Sequence, residues 1–75
     1  MPSTAELSPM QIGRARAYVN KIRNERKRWY AAAVMSYMLR WTQTRPVSPD
    51  GLSYMAAQAV RMELASIIGE AGRQL

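Results

Sequence analysis

Wrapped at about 100° per residue, Ile12, Ala15, Tyr18, Val19, Ile22, Trp29, Tyr30, Ala33 and Tyr37 fall within an arc of about 120°, which is the pattern of a helix with one buried stripe. Ser8, Pro9 and Gln11 mark its start: a serine acceptor at the N-cap, a proline at the first helical position and a glutamine three residues after the cap. No further proline occurs until Pro46, and the residue before a proline is pushed out of helical geometry. The pattern predicts one continuous helix over about residues 9–44, roughly 54 Å long. Residues 1–7 read as a short flexible lead.

Pro46, Ser48, Pro49, Asp50 and Gly51 punctuate the chain strongly, so a turn is expected over 45–51. The same residues restart a helix, with Ser48 as acceptor, Pro49 in the first turn and Asp50 at the positive end of the dipole. A second helix is predicted over about 49–69, with Gly69 and Gly72 as its stops. No segment alternates with period two. The expected fold is all-α, a helical hairpin of one long and one medium helix. Ala65 followed four residues later by Gly69 also matches a local feature of helix-turn-helix proteins. Only six residues follow Gly69, too few for a reading helix, so an ordinary glycine-terminated helix is expected there.

From Trp29 to Trp41 the apolar residues surround the first helix instead of lining one side of it. One partner helix covers a single flank, which predicts that Trp29, Val34, Met35, Met38, Leu39 and Trp41 meet a second subunit or an obligate protein partner. A dimeric four-helix arrangement is the expected form. Size argues the same way. A chain of 75 residues buries only about 60% of its unfolded surface, and with no cysteine and no histidine neither a disulfide nor a histidine- or cysteine-based metal site stabilises it.

Those missing residues also weigh against catalysis. The commonest general base and the strongest neutral-pH nucleophile are lacking, and the five carboxylates, Glu6, Glu25, Asp50, Glu63 and Glu70, include no pair three or four residues apart. The four glycines assemble neither a phosphate loop nor a dinucleotide fingerprint. No catalytic residue, metal ligand or cofactor is expected. The longest mostly apolar run, Trp29 to Leu39, is about 16 Å as a helix against a hydrocarbon core of roughly 30 Å, so no transmembrane segment is expected. Met1 to Leu7 lacks the charge and apolar stretch of a secretory signal, which makes cytoplasmic residence the expectation.

Charge then supplies the functional expectation. The net charge is +6 from 11 cations against five acids. Arg14, Arg16, Lys21, Arg23, Arg26, Lys27 and Arg28 crowd into one short stretch opposed only by Glu25. On a continuous helix Arg14, Lys21 and Arg28 flank one side of the apolar stripe, and Arg16, Arg23 and Lys27 flank the other. Arg26 falls within the stripe and is expected at its rim or paired with Glu63. Cations about 5–10 Å apart match the spacing of phosphates along a strand, and arginine suits bidentate phosphate contact. The expected function is a small non-enzymatic regulator that binds DNA or RNA through Arg14, Arg16, Lys21, Arg23, Lys27 and Arg28. The alternative is a modulator, inhibitor or assembly factor docking on an acidic protein through its apolar 29–41 surface and its arginines. Trp29, Tyr30 and Trp41 read first as core or interface, and second as stacking platforms for bases.

Overall fold

The computed structural model describes residues 6–75; most of the expected lead, residues 1–5, lies outside the described residues. Three helices, α1 (Pro9–Lys21), α2 (Glu25–Met38) and α3 (Tyr54–Ile68), are followed by one 3₁₀ turn at Gly69–Ala71, and no strand occurs among the described residues. The fold is all-α. No helix among the described residues is long and apolar enough to cross a membrane.

The α1 start is a reciprocal cap. Ser8 Oγ accepts from the Gln11 amide at 3.2 Å, and Gln11 Oε1 accepts from the Ser8 amide at 3.0 Å. Gln11 reaches further, its Nε2 donating to the Ile68 carbonyl at 2.9 Å and so tying the start of α1 to the end of α3.

The continuous helix expected over 9–44 is interrupted. Ile22 turns extended at ψ 122° and Asn24 caps a new helix, its side chain accepting from the Lys27 amide at 2.9 Å. Asparagine competes for helix amides with its own side chain, and Glu25 places negative charge at the new N-terminus. Arg28 closes the old end, its Nη1 donating to the Ile22 carbonyl at 3.0 Å and the Arg23 carbonyl at 3.4 Å. The break lets α1 fold back and bury Ala15 and Val19 against the core. The break forgoes several backbone bonds of a continuous helix; the Asn24 cap and the Arg28 contacts replace part of them, and burial of Val19 contributes about 1.5–3 kcal/mol in the other direction.

A second departure concerns direction. After α2 the chain returns in an irregular segment of turns and bends, residues 39–53, to the N-terminal end of α2, where Arg26 Nη1 donates to the Asp50 carbonyl. Beyond α3, the Arg73 amide donates to the Met38 carbonyl at the C-terminal end of α2, at 2.8 Å. Hence α3 runs parallel to α2, and the antiparallel hairpin of one long and one medium helix is replaced by three helices with a returning strap. Helix α3 starts later than expected: Ser53, not Ser48, is its N-cap, accepting from the Ala56 amide at 3.1 Å. Pro49 to Leu52 instead form a turn closed by the Leu52 amide on the Pro49 carbonyl, with Gly51 at φ 89°. A side chain at Gly51 would run into the Arg26 guanidinium. Past Gly69 no further α-helix forms.

Val34, Val60, Leu64 and Ile68 are the largest fully buried side chains, and Tyr30, Ala31, Met35, Met38, Leu39 and Ala57 complete the centre.

Candidate nucleic-acid interface

Helix α1 divides cleanly around its axis. Ala15 and Val19 are buried and Ile12, Tyr18 and Ile22 half-buried, while Gly13, Arg14, Arg16, Ala17, Asn20 and Lys21 are exposed. At helical spacing Arg14 and Lys21 share one edge of the exposed face and Arg16 takes the other, with Gly13, Ala17 and Asn20 between them. Arg14 and Lys21 are seven residues apart, about 10 Å along the axis. No acidic residue lies between Leu7 and Asn24, and Arg23, also exposed, extends the charge into the break.

Six cations expected as one nucleic-acid surface therefore separate into two groups. Arg14, Arg16, Lys21 and Arg23 project from α1 and its end into solvent. Lys27 and Arg28 belong to another helix and are half-buried, so the two basic edges drawn along a single rod do not extend past Lys21. Arg28 spends its guanidinium on the carbonyls of the break.

The six interface residues also separate. Val34, Met35, Met38 and Leu39 are core residues of the single chain, because the break at 22–24 supplies the additional helix that the sequence pattern left to a second subunit. Trp29 and Trp41 instead stand on the surface, 74% and 50% exposed. Trp41 is not alone there: the Arg16 guanidinium carbon lies 5.2 Å from its ring centroid, close enough for a cation–π contact. Tyr30, by contrast, is buried.

Of the two placements expected for Arg26, the structure has the exposed one, and its guanidinium donates to the Asp50 carbonyl instead of pairing with Glu63. Glu63 faces Tyr18: burial, and secondarily the Glu63 charge, hold the Tyr18 phenol above its usual value. Sequence reasoning passed over Arg73, which stacks 3.7 Å from the Tyr37 ring centroid. Its Nε donates to the Tyr37 carbonyl at 3.2 Å, one Nη to Gln43 Oε1 at 3.1 Å and the other to the Thr42 carbonyl. It thereby fastens the C-terminal segment over the end of α2, and its only sequence signal is that an arginine follows the Gly69 and Gly72 stops.

Among the described residues no group of three or more acidic, histidine or cysteine side chains could hold a metal ion. Compared with known protein families, curated proteins and solved structures, the chain matches none.

Proposed function

We propose that the protein is a small non-enzymatic module that binds nucleic acid through the exposed face of α1, with Arg14, Arg16, Lys21 and Arg23 contacting phosphates. The observation that carries this reading is the concentration of four exposed cations, unopposed by any acid from Leu7 to Asn24, beside an exposed tryptophan that Arg16 already overlies. Small residues between the two basic edges let a phosphate backbone approach closely. Trp41 adds a flat aromatic surface next to the cations, the combination on which unpaired bases stack. Lys27 and Arg28 take a lesser, flanking role. Contacts of this kind fix position and affinity and carry little sequence information.

The dimeric four-helix form was expected in order to bury Val34, Met35, Met38 and Leu39. Their burial within one chain supports a monomer as the binding unit. It also removes most of the surface from which docking on an acidic protein was argued.

Fluorescence anisotropy of labelled duplex and single-stranded oligonucleotides tests the proposal. Binding is expected in the range of about 10⁻⁶–10⁻⁴ M, weakening as salt rises. Arg14→Glu combined with Arg16→Glu is expected to abolish it with the helical circular dichroism unchanged. No binding at low salt overturns the reading.

A further inference from the structure

Between α2, the returning strap and α3, four clefts adjoin one another through shared lining residues, and no α1 residue lines any of them. The central one, about 300 Å³, is lined by Tyr30, Arg45, Pro46, Ser48, Arg61 and Leu75: two arginines and no acidic side chain. Arg61 is held in place from two sides. Its Nη1 donates to Tyr30 Oη at 2.8 Å, and its guanidinium carbon lies 5.9 Å from the Tyr54 ring centroid. The Tyr30 bond occupies one of the five N–H donors a guanidinium offers. Arg45 and Ser48, both exposed, line the same cleft.

Tyr30 is shared with an adjoining depression of about 120 Å³, walled also by Trp29, Ala33, Val47 and Pro49. Val47 is 83% exposed and, with Trp29, presents an apolar pocket one side chain wide beside the arginine pair. Glu25 is the one acid lining these clefts, at their far end with Arg26, Trp29 and Pro49.

We propose that this cleft docks an acidic peptide segment of a partner protein, its Asp or Glu carboxylate received by Arg45 and Arg61 and a neighbouring apolar side chain seated against Trp29, Val47 and Pro49. Charge complementarity selects the occupant: two arginines line a cleft that holds no acidic side chain, one guanidinium is pre-oriented with unused donors, and arginine binds carboxylates bidentately. Arginine and tryptophan are also the residues on which interface energy concentrates. A sugar–phosphate chain would find no partner in the aliphatic walls of Ala33, Val47 and Pro49. The surface stands apart from α1, so it does not rest on the nucleic-acid reading.

The test is an NMR titration of the isotope-labelled full chain with a blocked peptide of alternating glutamate and leucine, and in parallel with its glutamine–leucine counterpart. Saturable shifts are expected at the amides of Tyr30, Arg45, Ser48 and Arg61 and at the Trp29 indole, with the glutamine peptide binding at least about tenfold more weakly. Arg45→Gln, a change at an exposed position outside the core, is expected to weaken the glutamate peptide by about fivefold. Arg61→Lys, which keeps the charge but loses the fork, is expected to weaken it as well. Equal binding of the two peptides, or no shift in the cleft, overturns the proposal. So do shifts confined to Arg14, Arg16 and Lys21, which would mark general charge attraction. Shifts that depend on protein concentration without peptide would make a second copy the occupant. Loss of oligonucleotide binding in Arg45→Gln would assign the cleft to the nucleic-acid surface instead.

Discussion

Arg40 holds a backbone conformation that glycine would hold at lower cost. Its φ is +65°, and around it the Arg40 amide donates to the Tyr37 carbonyl at 3.0 Å and the Trp41 amide to the Ser36 carbonyl at 2.8 Å, the paired bonds of a Schellman ending. Arg40→Gly is therefore expected to raise unfolding stability by about 1 kcal/mol, read as a higher urea midpoint at unchanged slope. A lower midpoint would mean that the arginine side chain contributes contacts that outweigh its backbone cost. Gly51→Ala has the opposite sign, because its φ of 89° strains any residue with a side chain and the adjoining Arg26 guanidinium would have to swing aside. It should lower stability by at least about 1 kcal/mol. Tyr18 gives a pH signature. Its phenol titrates higher in the folded chain than in the unfolded chain, so it supplies stability that is present below about pH 10 and lost as pH rises through the folded value. Denaturant midpoints above that pH should fall less steeply in Tyr18→Phe than in the parent chain. At this scale the glycine turn and the Ser8 cap were legible, since each is encoded within four neighbouring residues. The left-handed Arg40 and the Arg73 clasp were not, because both depend on chain segments that meet only in the folded molecule.

At the level of elements, everything turns on residues 22–24. The amphipathic stripe runs from Ile12 to Tyr37 in helical register and carries no proline or glycine at the break, so period alone joins α1 to α2. The signal that was present is short: Asn24 followed by Glu25, a capping side chain and a first-turn acid. A strong helical period outweighs that signal locally, and the burial of Ala15 and Val19, together with the Arg28 contacts at the break, shifts the balance. Asn24→Ala is expected to lower stability by about 1 kcal/mol through loss of the α2 cap, measured by thermal or chemical unfolding. An unchanged midpoint would mean that Arg28 alone secures the break. The direction of α3 was hidden for a related reason. A proline-rich segment announces a turn, but nothing in its composition says that it will run back along α2 before the next helix begins.

For the whole molecule, the break converts an apolar surface into a core. The sequence correctly marks Val34, Met35, Met38 and Leu39 as residues that must be covered; what it lacks is the covering element, because α1 was counted as part of the same rod. With them buried, light scattering at micromolar concentration is expected to return the single-chain mass of 8.5 kDa. Twice that value would restore the dimer. Charge survives the change of fold better than packing does, since cations at helix positions facing away from the stripe stay in solvent whichever way the helices pack. Four of the six expected phosphate contacts do so, on α1 and at its end. The most direct measurement is the salt dependence of oligonucleotide affinity for the parent chain and for Arg16→Gln combined with Arg23→Gln. Four phosphate contacts predict a slope of log affinity against log salt of about −3.6 on duplex DNA, falling to about −1.8 when two cations are removed. A slope near zero, or one that the two substitutions leave unchanged, would contradict binding through α1.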